Sequence, residues 1–318
     1  MTASLTDKIN SVPELPGIYK MLDSQGNIIY IGKSKCLKKR VKSYFAAAPA
    51  WEKVKKMVGF IHDIDIVVTD THLEARLLEC ELIKAIRPAF NAQMKRDGGY
   101  AYLKVEDYNP YHVLNIVPER TSHTYGPFRS RSRLLELITA MKNIYPIQKN
   151  GRHYEFEYHL MPVSMDKASF QENREVLLEL LSKDQKIAEF IRTLDSRMKE
   201  AASCFKFETA SRYRDLMAGM TLLKKGINGY RNMISKNILL TIPVPGGSKL
   251  FFVSRGFIRF KRFFPELSDQ ETDRFIEESR KLSASTVNLM DEKGALDFRD
   301  ILYSEILALP EDMVRILK

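Results

Sequence analysis

"PELPGIYKMLDSQGNIIYIGKSKCLKKRVKSYF", residues 13–45, holds two short β-prone runs on either side of a turn, followed at once by a basic segment. Residues 15–21 and 27–32 read as strands, and Asp23-Ser24-Gln25-Gly26-Asn27 between them is turn chemistry. "KSKCLKKRVKSYFA" then reads as a helix, "WEKVKKMVGFIHD" as a second, and the β-branched "IDIVVT" as a strand. In "DTHLEARLLECELIKAIRPAFN", Thr71 followed three residues later by Glu74 is a capping-box signature. Leu73, Leu77, Leu78, Leu82, Ala85 and Ile86 supply an apolar stripe, and Pro88 ends the helix. Strand, strand, helix, helix, strand, helix is the order of a compact α+β unit.

Working outward, "YAYLKV" and "YHVLNIV" read as two strands and "SRLLELITAMKNIYPI" as a helix. Residues 149–170 have no strong period and read as a connector. Ile187, Ile191, Leu194, Met198, Ala201 and Phe205 are spaced as an a/d seam, and Phe207, Ala210, Tyr213, Met217 and Met220 line the next helix. These two segments predict an antiparallel helical hairpin. "NILLTIPV", "GGSKLFFVS" and "GFIRFKRFF" predict a three-stranded meander, followed by a helix at 268–282 and a weakly helical tail. The expected segments are therefore 1–100, 101–183, 184–228 and 229–318.

The chain of 318 residues has 50 basic and 40 acidic residues, a net charge of +10, and this charge is clustered. No acid lies between Asp23 and Glu52, where Lys33, Lys35, Lys38, Lys39, Arg40 and Lys42 fall close together; none lies between Asp215 and Glu266 either. Single-sign clustering suits a polyanionic partner, above all nucleic acid, although a solvated helix face carries the same pattern. Apolar residues make up 44% of the chain, and no run approaches the roughly 20 needed to cross a membrane. The N-terminus, "MTASLTDKIN", has no signal-peptide core, so the expected location is the cytoplasm. Cys36, Cys80 and Cys204 lack zinc or disulfide spacing, and the six histidines form no ligand pair.

Within residues 13–45, Tyr19 and Tyr30 can face each other across a hairpin. Read as helical, Lys33, Leu37, Arg40 and Tyr44 fall on one line. The two cations either snorkel at the edge of an apolar stripe or face an anion. Glu79 lines up with Ala75, Leu82 and Ile83 near the buried stripe, where a carboxylate needs a partner. Arg76 three residues earlier could be that partner, or a metal could. With Asn91, this set suits phosphodiester hydrolysis: a carboxylate for one Mg²⁺ or Mn²⁺, an arginine for transition-state charge, and a tyrosine or lysine to orient or deprotonate water.

Residues 13–100 resemble the GIY-YIG nuclease domain, with both name tripeptides intact at 17–19 and 30–32 and further likeness in "EARLLECELIKAIRPAFN" and "MKRDGGYAYLKV". Within that family the chain is most similar to the UvrC/Cho type, the N-terminal half of UvrC. "LDSRMKEAASCFKFETASRYRDLM" resembles the UVR motif that docks on the helicase subunit UvrB, and "KLFFVSRGFIRFKRFFP" resembles the hairpins that follow it. The resemblance implies that Tyr19 and Tyr30 place or activate the attacking water, that Lys33, Arg40 and Tyr44 complete the catalytic set, that Glu79 holds a single divalent metal, and that Asn91 closes the site. It implies a small nuclease domain with a three-stranded mixed or antiparallel sheet and flanking helices, a helical UVR hairpin, and a C-terminal β-meander plus helices.

The implied function is metal-dependent nicking of damaged duplex DNA, 3′ of a lesion, in concert with a UvrB-like subunit. Lys35, Lys38, Lys39 and Lys42 would contact DNA, together with the meander around 249–264. Met198, Phe205, Phe207, Ala210 and Leu216 would contact the partner. UvrC's cysteine cluster has no counterpart in 149–170, so no iron–sulfur cluster is expected there. No RNase H-like domain is expected, hence one cut rather than two. Cho-type chains generally lack the UVR motif, so the sequence stands between the two kinds. The remaining alternatives are a site-specific homing or restriction enzyme and a non-catalytic adaptor for UvrB.

Overall fold

Asp23 sets the first hairpin. Its carboxylate accepts the backbone N–H groups of Gln25 and Asn27, both at 2.9 Å, and Gly26 supplies the positive φ of 80° that the turn requires. In this computed structural model, residues 3–46, 52–95, 99–151, 153–229, 233–285 and 291–317 are described. Trp51 of the expected second helix and Arg231 of the acid-free stretch between Asp215 and Glu266 lie outside them. The chain forms two compact units, residues 1–97 with 233–318, and residues 98–232.

The first unit opens with α1 (Ala3–Ser11), then β1 (Gly17–Leu22), β2 (Ile28–Ser34), α2 (Leu37–Tyr44), α3 (Glu52–Val58), β3 (Asp63–Val68) and α4 (His72–Ile86). The strands are antiparallel in the order β2-β1-β3. Three sequence readings need correction. Lys33 is not on a helix with Arg40: it ends β2, because its backbone N–H finds a tertiary partner there. Tyr19 pairs with Gly32 and Met21 with Tyr30, so the motif tyrosines are diagonal rather than opposite. On α4, Ala85 and Ile86 are exposed, and the buried residues are Leu73, Glu74, Ala75, Glu79, Cys80 and Ile83. The capping box at Thr71 and Glu74 forms as expected. Leu5, Ile9, Met21, Leu37, Val41, Met57 and Ile64 build the core around Tyr19 and Tyr44, each aliphatic side chain contributing roughly 1.5–3 kcal/mol by burial.

The second unit contains β4 (Ala101–Val105), β5 (Leu114–Val117) and β6 (Thr124–Phe128) in the order β5-β4-β6. Next come α5 (Arg131–Lys142), the two-stranded β7 (Gln148–Asn150) and β8 (His153–Glu155), then α6 (Lys167–Ser182), α7 (Asp184–Ser203) and α8 (Phe207–Lys224). The predicted hairpin is α7–α8. Ile187, Leu194 and Ala201 are buried with Ala210, Tyr213, Leu216 and Met220 in one core that also holds Leu137, Phe170 and Phe190. A Cβ on Gly219 would stand 2.7 Å from Leu137 Cδ1, so this glycine lets α8 approach α5. The expected seam stops short of Phe205, which is 81% exposed in the turn between α7 and α8.

The chain returns to the first unit with β9 (Asn237–Val244), β10 (Gly247–Ser254), β11 (Phe257–Phe264), α9 (Asp269–Ser285), α10 (Glu292–Ala308) and β12 (Val314–Leu317). The sheet order is β11-β10-β9-β12. The meander is as predicted, but the tail adds a fourth strand that the sequence pattern did not announce. Phe252, Phe264 and Phe275 share a core, and Phe260 stacks on Phe275 with ring centroids 5.3 Å apart. Among the described residues, no helix is long and apolar enough to cross a membrane.

Candidate active site

β2 is an edge strand, and unpaired N–H and C=O groups on such an edge need partners. Here the site residues supply them. The Ile29 carbonyl accepts the Phe90 N–H at 2.9 Å. Asn91 then binds Ile31 twice, its Oδ1 accepting the Ile31 N–H at 2.9 Å and its Nδ2 donating to the Ile31 carbonyl at 2.8 Å. Two residues on, the Lys33 N–H donates to Glu79 Oε1 at 3.0 Å, and Lys33 Nζ donates to Glu79 Oε2 at 3.1 Å. The partner of Glu79 is therefore Lys33, not Arg76, which pairs with Glu305 at 2.8 Å. Alternation along one strand edge places Asn91 and Glu79 in register with Ile31 and Lys33.

Beside this edge stand three tyrosines. Ring centroids are 6.1 Å apart for Tyr19–Tyr30, 5.7 Å for Tyr19–Tyr44 and 6.2 Å for Tyr30–Tyr44. The Tyr19 and Tyr44 hydroxyls share a 2.7 Å hydrogen bond in which either can donate. Arg40 Nε donates to the Tyr19 oxygen at 3.3 Å, and its guanidinium carbon lies 4.9 Å from the Tyr44 ring centroid. Both motif glycines are close-approach positions. A Cβ on Gly32 would collide with the Tyr19 hydroxyl, and one on Gly17 would collide with the Val67 carbonyl.

Burial drives the Tyr19 hydroxyl far above the ordinary phenol value of 10.0; Tyr30 and Tyr44 push it the same way, and Arg40 opposes only in part. Tyr30 is raised as well, by burial first and then by Tyr44 and Glu79. For Arg40, burial acts downward, but the hydrogen bond and charge interaction with Tyr19 outweigh it and hold the guanidinium protonated. Tyr19 and Tyr30 are thus neutral phenols near neutral pH. An unfolded chain would ionise them near 10.0, so the folded state binds more protons above that pH. Their contribution to stability is complete below it and is lost as pH rises further. In an ultraviolet titration, Tyr19→Phe is expected to leave tyrosinate formation by the folded protein unchanged up to about pH 11, while removing one group from the unfolded chain. A lost phenolate step below that point would contradict the burial argument.

The Glu79 side chain is 11% exposed, and after its two bonds to Lys33 each carboxylate oxygen keeps a lone pair. Among the described residues no group of three or more His, Cys, Asp or Glu could hold a metal ion. A single carboxylate with lone pairs to spare fits a Mg²⁺-like ion, which keeps most of its waters. The remaining expected residues divide by exposure. Lys35, Lys39 and Lys42 are exposed around α2, and Lys38 lies 3.7 Å from Glu14. In the second unit Phe205 and Phe207 are 81% and 65% exposed, with their rings edge to face at 6.1 Å. Met198 is half-buried, whereas Ala210 and Leu216 are core residues and cannot reach a partner without unpacking the hairpin. In the meander, Lys249 and Lys261 are both bound to Glu74, a tertiary role that the capping box had hidden in sequence, and the Lys249 side chain is turned away from solvent.

Comparison with known proteins gives two family matches: the UvrC-like GIY-YIG domain over residues 15–92, and the UvrB/UvrC motif over 188–220. UvrABC system protein C of Desulfitobacterium hafniense (strain Y51) is 32% identical over 224 residues, 67% of this chain and 36% of the relative. The protein of the same name from Clostridium novyi (strain NT) is 31% identical over 286 residues, 81% of this chain and 45% of the relative. The chain thus spans less than half the length of these relatives. The solved GIY-YIG N-terminal endonuclease domain of UvrC from Thermotoga maritima, bound to its catalytic divalent cation, magnesium, is 37% identical; the likeness covers 29% of this chain and 100% of that one, with a TM-score of 0.27.

Proposed function

The chain carries a UvrC-like GIY-YIG domain and a UvrB/UvrC motif, and on that premise we propose that it is a metal-dependent DNA endonuclease of nucleotide excision repair. It nicks damaged duplex DNA on the 3′ side of the lesion, in the cytoplasm, together with a UvrB-like subunit. The observation that carries this reading is the convergence of Glu79, Lys33, Arg40 and the three tyrosines on one end of the β2 edge.

Glu79 would hold one divalent cation, Mg²⁺ or Mn²⁺, which when bound lowers the pKa of its water and offsets phosphate charge. The chain's own groups account for the rest. Lys33 and Arg40 present cations to the scissile phosphate, Arg40 fixed in direction by Tyr19 and Tyr44. The Tyr19–Tyr44 bond engages one of the pair's two hydroxyl protons. A hydroxyl of this cluster therefore orients the attacking water, and the neutral state of Tyr19 and Tyr30 favours orientation over deprotonation by a ready-made phenolate. Asn91 keeps β2 in place. Lys35, just before α2, and Lys38, Lys39 and Lys42 on it follow the DNA backbone.

Docking on the UvrB-like subunit is assigned to the tip of α7–α8. Phe205 has a φ of 59°, the left-handed position after a helix where glycine is usual. Bearing an exposed ring there costs stability, which supports a role for the ring outside its own core. The test is a mapped incision assay on a duplex with one defined lesion, with and without UvrB and Mg²⁺, using the wild type and Phe205→Gly. We expect a nick 3′ of the lesion that requires both additions. Phe205→Gly should fold at least as stably as the wild type, yet lose UvrB-dependent nicking by about tenfold or more, as for loss of an interface anchor. Cutting of undamaged DNA at one recurring site would replace this reading with a homing or restriction enzyme. Inhibition of incision without any nick would replace it with an adaptor.

A further inference from the structure

α4 carries Glu79 toward β2, and the opposite face of the same helix is held by the C-terminal part of the unit. At 100° per residue, Glu74 and Lys84 each lie about 140° from Glu79, in opposite senses, so both sit at the back of the helix. Glu74 accepts Lys249 Nζ at 2.8 Å and Lys261 Nζ at 2.6 Å, and Lys249 also reaches Asp70, just before the helix. Lys84 pairs with Asp297 at 2.8 Å, and the Asp297 side chain is only 1% exposed. On the flank nearer Glu79, about 60° from it by the same count, Arg76 donates to Glu305 at 2.8 Å and to Ser304 at 2.6 Å. The lysines of Glu74 come from β10 and β11, and the acids facing Arg76 and Lys84 come from α10.

Carboxylates as buried as Glu74 and Asp297 demand their partners, since an unpaired charge at such depth is strongly disfavoured. Any slide or tilt of α4 would break one of these pairs. A helix tied at both ends from behind has its front fixed, and a displacement of 1 Å in a reacting group can cost about 100-fold in rate.

We propose that Lys249 and Asp297 are positioning residues of the nuclease site, which act through α4 to fix the Glu79 carboxylate against the Lys33 amide. The C-terminal sheet and α10 are then parts of the catalytic unit, not only a basic surface for DNA. This rests on Glu79 being the metal-holding carboxylate.

The test uses the full chain as Lys249→Met, Lys249→Arg and Asp297→Asn, and follows backbone amide exchange. The Lys33 amide reports directly, because Glu79 is its acceptor. In Lys249→Met and Asp297→Asn its exchange is expected to quicken about tenfold or more while the β1–β3 ladder keeps its protection. Lys249→Arg should preserve the Lys33 amide. In single-turnover nicking, the first two variants should lose about 10–100-fold in rate with unchanged DNA affinity. Unchanged Lys33 protection in both variants overturns the proposal, and so does a uniform rise in exchange across the unit, which marks a merely structural pair. A wild type that does not nick overturns the nuclease reading instead, and the amide result still decides the positioning.

Discussion

Glu79→Gln is expected to slow nicking of a lesion-bearing duplex by about three orders of magnitude, while DNA affinity and folding stay near wild type. Glutamine keeps the volume of the side chain, and its amide oxygen can still accept the Lys33 N–H that Glu79 accepts at 3.0 Å. What it loses is the charge that would bind the cation. Lewis-acid stabilisation is worth several kcal/mol, and about 4 kcal/mol corresponds to roughly 1,000-fold in rate. The partner left behind is Lys33, whose side chain is 36% exposed and can turn to solvent, so the stability cost is small. The measurement is single-turnover incision at saturating Mg²⁺, with DNA affinity determined separately. Wild-type incision by Glu79→Gln would remove this carboxylate from the site.

The hairpin, its turn and α4 were legible because local chemistry specifies them: Asp23 and Gly26 in the turn, Thr71 and Glu74 at the cap, Pro88 at the stop. What escaped was decided by contacts distant in sequence. Lys33 reads as helical with its neighbours, yet it belongs to β2 because Glu79, far along the chain, accepts its amide. The stripe of α4 was misplaced because this helix is covered on more than one side. Leu73 and Cys80 are buried as fully as Ala75, so no single face stands out. β12 is four residues long and takes its register from β9, to which it pairs through Val314–Leu240 and Ile316–Ile238. Phe205 continued the a/d spacing but not the helix, since its φ of 59° turns the chain. Glu74 is the instructive case: the cap explained it fully in sequence, and that sufficiency concealed Lys249 and Lys261. Tyr19, Tyr30, Arg40, Tyr44, Glu79 and Asn91 do come together, although neither the diagonal placement of the tyrosines nor the sealing of the β2 edge could be read from spacing.

Arg40→Ala is expected to lower single-turnover nicking by about 100- to 1,000-fold, on the scale of losing one preorganised donor at a developing negative charge. Arg40 sits at the exposed rim of α2, yet its direction is set twice, by the Nε bond to Tyr19 and by its position over the Tyr44 ring. The bond to Tyr19 uses Nε alone, so the terminal N–H groups of the fork remain available to a phosphate. Alanine removes that donor set and loosens the Tyr19–Tyr44 pair, and both losses fall on the chemical step. Binding should suffer little: one phosphate contact among many lowers the salt dependence of DNA affinity by about one counterion. Lost stability should stay near the 0.5–1 kcal/mol of an exposed cation–π contact. Arg40→Lys separates charge from geometry. A lysine brings the charge but cannot donate to Tyr19, lie flat on Tyr44 and present a fork at once. It should therefore recover DNA affinity and its salt dependence while remaining about tenfold or more below wild type in rate. Full activity in Arg40→Lys would show that a point charge suffices, and the arrangement of Arg40 over the two tyrosines would then serve the packing of α2 rather than the reaction.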